Sequence, residues 1–262
     1  PHIGSYAKEI RMAMELEAVQ NLIMGFQTNS IWGVWIKYDR NKISLNICEN
    51  LDEISEKAAQ YFISVHKHSS NHFYIIPGGS TPVLFYQKLA RYVDDWRDTT
   101  IILSDERMVD EKNKLSNSSH LKNNFINHIK GNELPDFLSF SNLINLDQKK
   151  ITSSFINDEL KKFGRPEVTV LGLGADGHTA SLFPGNPDLF VKDDKACIIA
   201  KNDYEHFFRI SLTFDYLMRS KNIAFLISGV AKSGILKKCM CGPYDPMKRP
   251  VQYLFKNYKN KI

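Results

Sequence analysis

Cysteine is scarce in this chain of 262 residues: Cys48, Cys197, Cys239 and Cys241 are few and irregularly spaced. That scarcity argues against a disulfide framework and for free thiols in a reducing compartment. Long apolar runs are also missing. None approaches the roughly 18–20 residues that span a bilayer, so no membrane segment is expected. The opening stretch PHIGSYAKEIRMAMELE carries acidic residues where a signal peptide needs its apolar centre, and a cytoplasmic protein is expected. No tandem repeat or low-complexity segment occurs. Two nucleotide- and hydrolase-type motifs are lacking as well: the G-K-[ST] ending of a P-loop and the G-x-S-x-G elbow of serine hydrolases. His66-Lys67-His68 and His72 mimic metal spacing but have no neighbouring cysteine or carboxylate ligand, and read as a solvated helix end and loop. No metal is expected.

What is present is ordinary in bulk. Apolar residues make up 43% and charged residues 24%, enough for one large domain with a sizeable core. The formal charge of +5 is concentrated towards the C-terminus, at Lys232, Lys237, Lys238, Lys248, Arg249, Lys256, Lys259 and Lys261. No nucleic-acid motif accompanies these cations. They read as a solvated basic region with a few lysines reserved for a small anion, so no nucleic-acid partner is expected.

The first 42 residues read as an N-terminal extension. Met12, Leu16, Val19, Ile23 and Phe26 form one helical seam, favoured to pack on its own domain over docking a partner. IWGVWIKY then reads as a strand or hairpin arm. Residues 43–262 read as a single α/β domain. ISLNIC, FYIIP, TIILSDE, VTVLGLG, FFRISLTF and NIAFLISG are predicted strands. LDEISEKAAQYFISVHKH, STPVLFYQKLARYV, HLKNNFINHI, ITSSFINDELKKF and VAKSGILKKC are predicted helices, and VQYLF closes the strand series. This alternation implies a mostly parallel sheet covered by helices on both faces. In such folds ligands bind beyond the carboxyl ends of the strands.

Four stretches at those ends carry chemistry. GLGADGHTASLFPG (172–185) opens like the dinucleotide pattern G-x-G-x-x-G, yet Pro184, Gly185 and Pro187 forbid the long helix that a pyrophosphate site needs. What it offers instead is Asp176-Gly177-His178, an imidazole beside a carboxylate that can orient it. PGGSTP (77–82) supplies Gly78 and Gly79 for a tight turn. Its Ser80 or Thr81 is expected to cap the following helix, at an N-terminus suited to phosphate. Ser104-Asp105-Glu106-Arg107, with Ser116-Asn117 further on, places acids and an arginine where packing alone hardly explains them. Arg209 and Lys232 add two cations, and with a helix N-terminus these describe a phosphate pocket.

Together GGSTP, SDER, SN, GLGADGHTASLFPG, RISLT (209–213) and SGVAKSG (228–234) resemble the 6-phosphogluconolactonase family, in the same order and over roughly residues 43–255. The resemblance implies the sugar-phosphate isomerase/deaminase type of α/β sandwich. It also implies hydrolysis of 6-phospho-D-glucono-1,5-lactone in the oxidative pentose phosphate pathway, without cofactor or metal. It assigns His178 as general base, Asp176 as its orienting partner and Arg107 as oxyanion stabiliser. Gly78, Gly79, Ser80, Thr81, Asp105, Asn117, Gly177, Arg209 and Lys232 fall to substrate binding, with Asn117 on a sugar hydroxyl. Fusion to, or association with, glucose-6-phosphate dehydrogenase stays open. The related glucosamine-6-phosphate deaminases share GGSTP and the D-G-H core but continue H-I-A-F-N-E-P-G. Here Phe183 stands in place of their glutamate, which favours the lactonase. A non-catalytic sugar-phosphate sensor is the remaining alternative, and it would need no base.

Overall fold

The computed structural model describes residues 33–39, 42–131, 133–140, 153–191, 195–201 and 206–258. The expected helix over Met12–Phe26 and the lysines at 259 and 261 lie outside them.

A seven-stranded sheet forms the centre. Strands β1 (Gly33–Asp39) and β2 (Lys42–Cys48) make an antiparallel hairpin, and β1 also pairs antiparallel with β10 (Asn222–Ser228). From β10 the sheet continues in parallel through β7 (Val168–Leu171), β3 (Phe73–Ile76), β4 (Thr100–Leu103) and β6 (Asp136–Leu138). Strands β3 and β7 are buried along their whole length, as both-face coverage requires, which explains their unbroken apolar sequence. The part of IWGVWIKY that is described, within Gly33–Asp39, thus belongs to the sheet itself. A domain boundary at residue 43 would lie between β1 and the two strands with which it pairs, β10 and most of β2.

Helix α1 (Leu51–His68) illustrates the local logic. Asn50 caps it by accepting from Glu53 N at 2.8 Å, while the Glu53 carboxylate accepts from Glu49 N at 2.8 Å, a variant of the reciprocal box. Ile54, Ala58 and Phe62 recur every four residues and bury the same face. Its last turn corrects the reading of the histidine cluster. His66 is half-buried: its Nδ1 lies 3.0 Å from Tyr74 Oη and 3.1 Å from His72 Nδ1, and its ring lies 5.4 Å from that of Trp96. Burial, then the neighbouring His72, holds its pKa below the ordinary value.

Further helices are α2 (Val83–Tyr92), α3 (Asn117–Asn124), α4 (Ser153–Lys161), the short α5 (Phe214–Leu217), α6 (Ser233–Cys241) and α7 (Val251–Asn257). The segment VQYLF is therefore helical. Val251 and Leu254 are buried at helical spacing behind Pro250, and so short an apolar run has no period of its own to separate strand from helix.

A second departure matters more for the site. The predicted strand TIILSDE is split: β4 ends at Leu103, and β5 (Asp105–Arg107) joins β9 (Phe208–Leu212) and β8 (Cys197–Lys201) in a separate antiparallel sheet, ordered β5-β9-β8. Ser104 is the switch. Its N–H donates to Ile76 O of β3 at 2.8 Å, and its carbonyl accepts from Leu212 N of β9 at 2.9 Å. The chain thus leaves the central sheet just where its charged residues begin, and FFRISLTF is not a further parallel strand. Among the described residues no helix is long and apolar enough to cross a membrane.

Candidate active site

Strands β3, β4, β7 and β10 run in parallel, so the loops at their carboxyl ends converge. Between them lies a cavity of about 300 Å³, the lower end of the range for small-molecule sites. Gly78, Gly79, Ser80, Thr81, Asp105, Arg107, Asn117, His178, Arg209 and Lys232 all line it. Asp176 and Gly177, the other two residues singled out in the sequence, are not part of this lining.

The loop after β7 closes on itself. Gly174 N donates to His178 O at 2.8 Å, Gly177 N to Gly174 O at 3.2 Å, and Thr179 Oγ1 to Gly172 O at 2.9 Å. No helix starts at the glycines, so the dinucleotide reading has no structural counterpart. Gly177 adopts φ +91°, a left-handed conformation that suits glycine, and its carbonyl accepts from Val251 N at 3.0 Å. Gly174 is needed for another reason. A Cβ there would stand 2.1 Å from His178 Nδ1, so the imidazole occupies space that only glycine leaves free. Ala180, also on the cavity wall, holds φ +51° without being glycine, a conformation that costs energy and clusters at functional sites.

His178 Nδ1 lies 2.6 Å from Asp176 Oδ1, and the same oxygen accepts the His178 backbone N–H at 3.0 Å. With Nδ1–H directed at the carboxylate, the neutral imidazole keeps its lone pair on Nε2. Partial burial works to raise the Asp176 pKa, but the hydrogen bonds and charge of His178 outweigh it and leave the carboxyl below the ordinary value. The Phe183 ring lies against the imidazole at 4.9 Å between centroids, and the Arg209 guanidinium stands 5.5 Å from that same ring. Phe183 thus presents an apolar ring to His178.

Asp105 and Asn117 line the cavity yet already have partners. Asp105 accepts from Ser104 Oγ at 3.0 Å and Ser181 Oγ at 2.6 Å, and pairs with Arg209 Nη1 at 3.5 Å. Asn117 donates to Asp105 O at 2.9 Å and accepts from Arg107 Nη1 at 2.8 Å. Both therefore hold arginines in place. The helix cap expected from Ser80 or Thr81 is also absent: Pro82 occupies the cap position of α2 with no side-chain bond. Lys232 ends a 3₁₀ turn (Val230–Lys232) ahead of α6. Burial lowers its pKa, opposed by the negative charge of Asp176.

Sequence reasoning passed over Ser181 and gave Glu106 and Gly174 no role. Only the GADGH context hinted at Gly174. Ser181 and Glu106 act through residues distant in the chain, which no local pattern signals.

Fold and cavity together define an α/β protein with a small-molecule-sized site, lined by Arg107, Arg209 and Lys232, at the carboxyl ends of its parallel strands. The family model for glucosamine-6-phosphate isomerases/6-phosphogluconolactonase matches residues 49–261, and the chain belongs to that family. A 6-phosphogluconolactonase from Caulobacter vibrioides is 30% identical over 193 residues, which cover 71% of this chain and 78% of the relative. The 6-phosphogluconolactonase structure from Trypanosoma brucei matches with a TM-score of 0.67 at 18% identity, covering 80% of this chain and 89% of the other. A monomeric glucosamine-6-phosphate deaminase matches equally well, with a TM-score of 0.67 at 19% identity over 79% of this chain and 91% of the other. Fold alone therefore does not separate the two chemistries, and the separation falls to the residues around His178.

Proposed function

We propose that this chain hydrolyses 6-phospho-D-glucono-1,5-lactone to 6-phosphogluconate, in a cytoplasmic pentose phosphate pathway. The observation that carries the reading is the 2.6 Å contact between His178 Nδ1 and Asp176, at a cavity that also presents Arg107, Arg209 and Lys232. A sensor would need the cations but not an oriented base. Phe183 against the imidazole supplies no second carboxylate for amine chemistry.

In this reading His178 Nε2 takes a proton from water as its oxygen attacks C1 of the lactone. Arg107 stabilises the negative charge that develops on the C1 oxygen, a contribution of about 3–4 kcal/mol per donor in comparable sites. The C1–ring oxygen bond then breaks, and the proton on His178 passes to the departing ring oxygen. The 78–81 loop, Arg209 and Lys232 hold the phosphate, while Asp105 and Asn117 serve the arginines rather than the sugar.

The test is a coupled assay on freshly generated lactone, corrected for spontaneous hydrolysis. His178→Ala is expected to lower turnover by roughly two to four orders of magnitude with little change in affinity for 6-phosphogluconate. Turnover at the wild-type rate would overturn the assignment, and ammonia release from glucosamine 6-phosphate by the wild type would return the deaminase reading.

A further inference from the structure

Glu106 faces away from the cavity and is only 1% exposed, between two residues that line it. Both its oxygens are occupied. Oε1 accepts from Arg107 N and Asn117 N, each at 2.7 Å, and Oε2 from Ser118 N at 2.7 Å and Ser116 Oγ at 3.3 Å. Two of these donors are the first backbone N–H groups of α3, where the helix dipole favours a negative group. The helix already has a cap of its own, since Ser116 Oγ accepts from Ser119 N at 3.1 Å. Glu106 therefore adds something besides helix capping: it ties the start of α3 to strand β5.

The tie closes a ring. From the start of α3, Asn117 reaches back to β5, donating to Asp105 O and accepting from Arg107 Nη1, and Leu115 O accepts from the same Nη1 at 3.0 Å. The Arg107 guanidinium is thus gripped by the 115–117 segment, and that segment is fixed by the carboxylate next to Arg107 in the chain. A third loop depends on the same position. A Cβ on Gly78 would come within 2.2 Å of the Asn117 amide, so Asn117 sits directly on the PGGSTP turn.

We infer that Glu106 is a positioning residue for Arg107, acting through the start of α3 and the Asn117 amide. The kinetic readout of this inference rests on the lactonase reading, but its structural readout does not. Glu106→Gln keeps the shape but turns an N–H donor towards the N–H groups of α3 and removes the charge. It is expected to lower lactone kcat/KM about tenfold. In an Arg107→Ala background the same substitution should cost less than about twofold, whereas beside Lys232→Ala its full cost should persist. Equal losses in both backgrounds would overturn the inference. Guanidinium ¹⁵N NMR decides independently of any activity: the Arg107 signals should broaden or shift in Glu106→Gln, and unchanged signals would overturn the inference. A wild type without lactonase activity would sink the functional reading and leave this measurement standing. Should Glu106→Gln not fold, Asn117→Ala breaks the same relay. It must show the same loss and the same silence beside Arg107→Ala, and additivity there overturns the inference.

Discussion

Arg107 and Arg209 stand directly opposite each other across the antiparallel pairing of β5 with β9, and both line the same cavity. Like charges at such positions repel, and the Asp105 carboxylate beside Arg209 offsets part of that repulsion. Their surroundings differ. The Arg107 guanidinium donates to Leu115 O and Asn117 Oδ1, and Arg209 lies beside the buried Asp105 carboxylate at 3.5 Å and Ser181 Oγ at 3.4 Å.

Arg209→Ala should therefore act mainly on binding. An increase in KM of about 10–100-fold is expected from loss of a charge-assisted phosphate contact, with a smaller change in kcat. Because Asp105 would lose its buried cation, stability should also fall by about 3 kcal/mol, measurable by urea denaturation. A drop in kcat at unchanged KM would place Arg209 at the reacting carbon instead.

Gly174→Ala should be selective in the opposite direction. The added methyl would clash with the movable imidazole of His178, so the ring is displaced while the β7 scaffold remains. Lactone turnover is expected to drop at least a hundredfold, the scale of a misplaced catalytic group. The melting temperature should stay within a few degrees of the parent, and a fully active Gly174→Ala would contradict the observed ring position.

Lys232 supplies a pH test. Burial lowers its pKa below 10.5 in the unliganded protein, while a bound phosphate dianion favours the ammonium form. Binding then takes up a proton once the pH exceeds the lowered value. Affinity for 6-phosphogluconate should be full below that value and weaken as the pH rises through it, before ordinary lysines titrate. Without ligand the linkage runs the other way. Between the lowered folded value and the ordinary unfolded one, the unfolded chain binds more protons, so stability rises with pH. Calorimetric titration of Lys232→Met should show weaker binding from the outset and no alkaline decline from this residue.

The strands β3, β4, β7 and β10 were legible in the sequence because each is a short apolar run ending in glycine, proline or polar residues. Most of the loops at their carboxyl ends were legible for the same reason. GGSTP and GADGH announced backbone conformations and side chains that packing does not demand. The residues expected to line a site mostly do so, while the division of labour among them was not legible. Asp105 and Asn117 line the cavity as the sequence suggests, and only the structure adds that they also contact Arg209 and Arg107.

From the sequence alone came a parallel α/β core, an imidazole beside a carboxylate and a set of cations, because these depend on residue type and short-range spacing. Tertiary structure alone decided that the chain changes sheets at Ser104, that Arg107 faces Arg209 and that Glu106 fastens α3 to β5. Those arrangements depend on hydrogen bonds between segments from ten to more than a hundred residues apart. Their partners are chosen by burial in three dimensions, which local propensity and periodicity do not encode.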